Sequence, residues 1–545
     1  MGAAALTGDV SRLGPWGRRL VALVAGALSV LAMAPFFLWP MLFLTVPLLI
    51  RLIDVARDVA PRRPAIAAAA AAWWFAFGYF LAGLFWIGEA FLVESDRFAV
   101  LMPFAVLLMP AGLALFWAVA AAAASPLWRP DATRVVVLAV TLSAAEWLRG
   151  HILTGFPWNV LGYALTAPES LMQSAAVFGI YGLTLIAVLI FGWPGVVFVD
   201  ALRPGIDTAT PLAYRKSMLA AGVSGSVLLA LWGAGLWRLT ATVPVAEPPV
   251  RLRLVQPSIP QRLKWQQTHQ HANFETHLAL SIRNARGEID GATGIQAIIW
   301  PEAAMPFAPL DAPGALQAIA DVVPDGAHLI AGLLRIEHVP PGVPGRRRRI
   351  LNSLAAFDTT GNPVAIYDKT HLVPFGEYLP YQSTLEAIGL EQLTRIRGGF
   401  DVGPTPRPIM RIPGLPGFAP LICYEAIFPS TVIQSPERPA ALLNVTNDGW
   451  FGNTTGPRQH FHQARVRAVE EGVPIIRSAN NGISAVIDAH GRVTARLGMN
   501  VVGAVDADLP GRISAPIYAR VGDWLFAAML ALAAASVAIM IRLRR

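Results

Sequence analysis

Two textures divide the chain. Between about residues 20 and 240, apolar positions follow one another almost without a break, in stretches near 20–35, 37–52, 66–92, 99–124, 134–149, 171–199 and 217–237, and another stretch covers 523–541. A helix needs roughly 20 apolar residues to cross the hydrocarbon core of a bilayer. The eight stretches therefore predict membrane spans, although the first, second and fifth are short. The first also has the form of a signal peptide: Arg18 and Arg19, an apolar run, then Ala32-Met33-Ala34. Pro35 follows at once and disfavours cleavage, and more apolar sequence follows. The segment is therefore read as an uncleaved span.

Residues 241–520 read differently. Short apolar runs alternate with turn residues: Leu252 to Val255, Ala297 to Trp300, His328 to Ala331, Leu421-Ile422 and Ala441 to Leu443. Two stretches have hairpin form. One runs from Ala355 to Tyr367 around Thr360-Gly361-Asn362, the other from Ser484 to Ala495 around His490-Gly491. A polar helix is predicted from Gln459 to Glu471. Strands interleaved with helices and hairpins predict a mixed α/β domain, and about 280 residues can bury their own core. The expected organisation is a transmembrane helical domain over 1–240, an α/β domain over 241–520, and a last span with a basic tail over 521–545.

Composition supports this division. Hydrophobic residues make up 54% of the 545 positions and charged residues 14%, too few charges to cover a soluble protein of this length. The net charge of +8 does not point to nucleic acid, because the basic residues lie beside apolar segments. Arg12, Arg18 and Arg19 precede the first span, and Arg51, Arg57, Arg62 and Arg63 follow the second. Arg129 and Arg134 flank the next such connection, and Arg203, Arg215 and Lys216 the one after. Arg542, Arg544 and Arg545 end the chain, while the alternate connections are poor in Lys and Arg. The positive-inside rule then places both termini in the cytoplasm and 241–520 outside it. The proline-flanked basic stretch from Gly342 to Arg349 is read as a solvated loop.

A single cysteine excludes an internal disulfide framework and a multi-cysteine metal site. Cys423 is then either a small core residue or a nucleophile. It ends one of three segments in which an apolar strand runs into a reactive side chain: Ile298-Ile299-Trp300-Pro301-Glu302, Tyr367-Asp368-Lys369, and Leu421-Ile422-Cys423-Tyr424-Glu425. A cation favours the thiolate, a carboxylate can take and return a proton, and an ammonium can stabilise an oxyanion. Glu302, Lys369 and Cys423 supply these functions without a metal or cofactor. Each also has a plainer reading, as turn carboxylate, solvated lysine and core thiol, and spacing alone does not decide. His371, His460 and His462 lack a third ligand at a recognisable metal-site spacing.

Trp300-Pro301-Glu302, the Lys369 segment and Cys423-Tyr424-Glu425, in that order, resemble the Glu-Lys-Cys set of the nitrilase superfamily. Longer stretches resemble the apolipoprotein N-acyltransferase family more closely. They are Trp300 to Ala304, Lys369 to Glu377, Asn447 to Gly452, Gly456 to His460 and Arg477 to Gly482. In the apolar part, Glu146 to Gly150 and Thr154 to Trp158 also look like that family. The resemblance implies a multi-span helical membrane domain joined to a nitrilase-like α/β sandwich. It implies Glu302 as general base, Lys369 as transition-state stabiliser and Cys423 as nucleophile, with support from Trp265, Glu377, Tyr424 and Glu425. Glu377 is a candidate to orient Lys369, and Trp265 could line an acyl groove or sit in the core. Tyr424 and Glu425 could support the nucleophile or touch substrate.

The activity implied is acyl transfer from a membrane phospholipid, phosphatidylethanolamine by expectation, to the N-terminal amine of a diacylglyceryl-modified apolipoprotein. The place implied is a bacterial inner membrane, with catalysis on the periplasmic side. The Thr154 to Trp158 loop then suits the membrane interface. The alternative is a membrane-anchored amidohydrolase of the nitrilase type, using the same trio with water as second nucleophile.

Overall fold

The computed structural model describes residues 10–201, 211–339, 348–387, 389, 392–394 and 398–542. Most of the Gly342 to Arg349 stretch lies outside the described residues, as do Arg203, Arg544 and Arg545. The chain forms two compact units. One comprises Met1–Gly88, Val100–Ala241 and Pro516–Arg545, the other Glu89–Ala99 and Thr242–Ala515.

The first unit is helical. Among the described residues, seven helical segments are long and apolar enough to cross a membrane: Pro15–Ala32, Trp39–Val59, Pro64–Leu92, Ser95–Leu127, Ala175–Val196, Met218–Leu239 and Trp524–Arg542. The stretch expected near 134–149 also forms a helix, Thr133–His151, but Arg134, Glu146 and Arg149 make it too polar to be counted with the others. These charges are buried in pairs. Arg134 lies 3.4 Å from Asp54, and Arg149 lies 2.6 Å from Glu146. The indole of Trp117 donates to Glu146 at 2.7 Å. Arg149 also donates to the carbonyl of Trp158 at 3.0 Å, which ties the two membrane-part motifs together. Trp158 is 1% exposed, against Trp86, so its ring packs inward.

Among the described residues, the second unit holds eleven strands in two sheets. The first sheet orders β11 (Gly503–Asp508), β1 (Arg251–Gln256), β2 (Ala297–Ile299), β3 (His328–His338), β4 (Arg348–Phe357) and β5 (Pro363–Asp368). The second orders β10 (Val493–Leu497), β9 (Ser484–Ile487), β8 (Ile475–Ala479), β7 (Ala441–Thr446) and β6 (Phe418–Ile422). Strands β1 to β3 run parallel, as do β6 to β8, and both expected hairpins form, as β4–β5 and β9–β10.

Side-chain alternation explains the layering. From β2, Ala297 and Ile299 join one core cluster and Ile298 another. From β7, Ala441, Leu443 and Val445 face the first cluster and Leu442 a third. The shared cluster also takes Leu254, Leu354, Ile422 and Ile476, so the two sheets pack face to face. Their outer faces are covered by helices, including Pro313–Ala320 on one side and Gly456–Glu471 on the other. Both faces of each sheet are therefore buried, which is why the strands read as continuous apolar runs.

Candidate active site

Glu302, Lys369 and Cys423 each follow a strand of this sandwich, as the sequence suggested: Glu302 after β2, Lys369 after β5 and Cys423 after β6. Glu302 can approach β3 because position 332 is glycine. A Cβ there would meet the Glu302 Cα at 2.6 Å. The Lys369 amide donates to the Asn352 carbonyl at 2.9 Å, extending the β4–β5 ladder by one residue. Cys423 adopts a left-handed backbone with φ of 52°, unusual for a residue with a Cβ, at the turn from β6 into the short helix Cys423–Ile427.

The charged groups meet in a closed cluster. The Lys369 ammonium lies 3.0 Å from Glu377 Oε1 and 3.6 Å from Glu302 Oε1. Asn352 Nδ2 donates to the same two oxygens, at 2.8 and 2.9 Å respectively. Glu302 Oε2 accepts the Asn447 amide at 2.9 Å, and Glu377 Oε2 accepts the Val373 amide at 2.8 Å. Burial pulls the Lys369 ammonium down, but the Glu377 and Glu302 carboxylates outweigh it and hold Lys369 protonated. The thiol of Cys423 is pushed well above its ordinary range by burial and by Glu302, with Lys369 opposing. Cys423 therefore rests as a thiol, and Glu302 is the carboxylate whose charge it feels most.

The four supporting candidates fall into different places. Glu377 is part of the cluster. Glu425, fully buried, is not; it faces Arg407 at 3.0 Å and the Tyr367 hydroxyl at 2.7 Å. It also accepts the amides of Thr370, His371 and Ile422. It thus ties the loop after Lys369 to the strand before Cys423. Tyr424 is buried, edge-on to Phe428 at 5.0 Å and to His371 at 5.6 Å. Trp265 is half-buried, and its indole nitrogen lacks a hydrogen-bond partner.

Three contributors were not singled out from sequence. Asn352 sits mid-strand on β4 with nothing around it to mark it, whereas Asn447 opened a stretch already noted for its resemblance. Lys264 precedes Trp265. It is 1% exposed and donates to the Glu302 carbonyl at 2.8 Å. Burial lowers its pKa to about 8 against the pull of Glu302 and Cys423.

Two parallel-cored sheets with a buried carboxylate, lysine and thiol at strand ends define a carbon-nitrogen hydrolase domain, and residues 251–515 match that family. Residues 25–193 match the apolipoprotein N-acyltransferase N-terminal domain. The apolipoprotein N-acyltransferase of Rhodopseudomonas palustris is 46% identical over 95% of this chain and 94% of its own length. That of Bradyrhizobium diazoefficiens is 47% identical over the same shares, and that of Brucella melitensis 41% over 99% of both. The chain belongs to the apolipoprotein N-acyltransferase family.

Proposed function

We propose that this protein moves an acyl chain from a membrane phospholipid, by way of a thioester on Cys423, to the free amine of an S-diacylglyceryl-cysteine at the N-terminus of an apolipoprotein. The observation that carries the reading is the buried cluster in which a protonated thiol shares its surroundings with the Glu302 carboxylate and the Lys369 ammonium. The apolar helices of the first unit favour substrates anchored in a bilayer.

The chemistry follows from these groups. Glu302 takes the thiol proton as Cys423 Sγ bonds to the ester carbonyl carbon, and Lys369 stabilises the oxyanion. Collapse breaks the ester bond, and Glu302 returns the proton to the departing lysophospholipid oxygen. The incoming amine then attacks the thioester and loses a proton to Glu302. The amide forms as the thiolate leaves and is reprotonated. The donor is taken to be phosphatidylethanolamine. The site is taken to face the periplasm across a bacterial inner membrane, from the arginine asymmetry. A reporter fused after Trp237 that is active only when exported tests this orientation.

With phospholipid alone, purified enzyme should release one lysophospholipid per Cys423 and then stall with the acyl mass on the peptide that contains it. A diacylated lipopeptide with a free amine should restart turnover, and its N-acetylated form should not. Cys423→Ala should fold and give neither product. Steady release of fatty acid from phospholipid alone would sink the transfer reading in favour of a hydrolase.

A further inference from the structure

Cys423 is held in a left-handed conformation that costs a residue with a Cβ on the order of 1 kcal/mol. Something must hold the peptide groups on either side, or the backbone relaxes and Sγ swings away from Glu302 and Lys369. On the N-terminal side the hold lies one peptide further back: the Ile422 amide donates to Glu425 Oε2 at 2.7 Å.

On the C-terminal side, the Cys423 carbonyl oxygen lies 3.2 Å from Nε2 of His460, from the helix Gly456–Glu471. His460 is fully buried, and its Nδ1 lies 2.9 Å from Asp448 Oδ1. The Arg477 guanidinium lies 2.8 Å from Asp448 Oδ2 and 3.2 Å from His460 Nδ1. Arg477 also donates to the Asn444 side chain, whose amide returns to the Leu421 carbonyl at 3.1 Å. The path therefore leaves the protein backbone at Cys423 and rejoins it two residues earlier, through side chains that are 0–1% exposed.

Chemistry fixes the direction of the bond to Cys423. A carbonyl only accepts, so Nε2 must carry a proton. A neutral ring with its proton on Nδ1 would set a lone pair against the carbonyl oxygen. In the other neutral form Nδ1 accepts from Arg477 at 3.2 Å but sets its lone pair against Asp448 Oδ1 at 2.9 Å, and in the charged form it donates to Asp448. In both, Nε2–H donates to Cys423. Burial and Arg477 both lower the His460 pKa.

We propose that His460, braced by Asp448 and Arg477, is a positioning residue for the nucleophile: its Nε2–H grips the Cys423 carbonyl and keeps the strained turn that aims Sγ at Glu302 and Lys369. The inference rests on Cys423 being the nucleophile of the proposed reaction. Loss of the grip acts on the rate of thioester formation, not on lipid binding.

The test compares His460→Gln with His460→Asn. A Gln amide nitrogen can occupy the place of Nε2, while an Asn amide, one methylene shorter, keeps only the Asp448 side. Thioester formation on Cys423 is followed by mass spectrometry in single turnovers at rising phospholipid concentration. The Asn variant should be slowed roughly 100-fold, the usual cost of a misplaced reacting group, with half-saturation unchanged. The Gln variant should stay within about threefold of wild type. If the Asn variant does not accumulate folded, His460→Met, which fills the space without a donor, takes its place. Equal rates in the Gln and donor-less variants would overturn the inference, as would a loss confined to half-saturation. Cys423→Ala is run alongside, since transfer by it would overturn the nucleophile reading itself.

Discussion

Lys369 sits closer to Glu377 than to Glu302, at 3.0 Å against 3.6 Å, and Asn352 donates to the facing oxygen of each. The lysine is thus held more closely by Glu377 than by Glu302. Glu377→Gln removes the anchoring charge while keeping an oxygen for the Val373 amide. A charge-assisted hydrogen bond contributes about 1.5–3 kcal/mol. If that loss falls on the transition state, thioester formation should slow about 10- to 100-fold. Single-turnover kinetics read this, and an unchanged rate would separate Glu377 from the catalytic lysine.

Glu302→Gln keeps the side chain's size and an oxygen for one of its two donors, Asn352 or Asn447, but removes the base. The Cys423 thiol, held protonated by burial, should then react slowly at neutral pH and recover partly as pH rises. Lys369→Met keeps the stem and loses the donor, which typically costs roughly 100- to 1000-fold. Its rate should not recover at high pH. Rate–pH profiles of the two variants distinguish these roles, and near-normal rates in either would show the trio to be misassigned.

Lys264 gives the wild-type profile an alkaline limb. With a pKa near 8, its ammonium is present below that pH and lost above it. Thioester formation should fall as pH passes about 8, because the positive charge beside Glu302 and Cys423 disappears. Lys264→Met should be slower at neutral pH and lack that limb. Stability runs the other way. The folded pKa lies below the ordinary 10.5, so the buried charge burdens the fold below about pH 8, and the burden is relieved as pH rises from 8 to 10.5. Melting curves of wild type and variant over that range check the sign.

Glu425 should behave as a structural residue. Glu425→Gln leaves Arg407 buried without its carboxylate, a change that typically costs about 3–5 kcal/mol. Although burial opposes ionisation, Arg407 and the amide of Ile422 hold its pKa below the ordinary 4.5. The stability it contributes is therefore present above about pH 4.5 and is lost as pH falls through the folded value. A lowered melting temperature in the variant, with the difference shrinking in acid, is the expected result. A kinetic defect without loss of stability would make it a substrate contact instead.

Much of this protein was legible in its sequence because local rules set it. Apolar length marked the spans, and the short continuous apolar runs Ala297 to Trp300 and Ala441 to Leu443 marked strands buried on both faces. The Thr360-Gly361-Asn362 and His490-Gly491 turns located both hairpins. The strands β8 and β11 were not picked out, although Gly472, Pro474 and Asn480-Asn481-Gly482 flank the first and Pro510-Gly511 follow the second; they pair with β7 and β1. The helix Thr133–His151, expected as a short span, carries charges that are buried in pairs, Arg134 with Asp54 and Arg149 with Glu146. The three reactive residue types could be named from sequence, but 67 residues separate Glu302 from Lys369 and a further 54 separate Lys369 from Cys423. Only the stacking of two sheets brings three strand ends to one place. The same packing decided what sequence could not rank: Glu377 joins the lysine, Glu425 turns away toward Arg407, and Asn352, Lys264 and His460 enter through contacts that arise only once distant backbone is folded together.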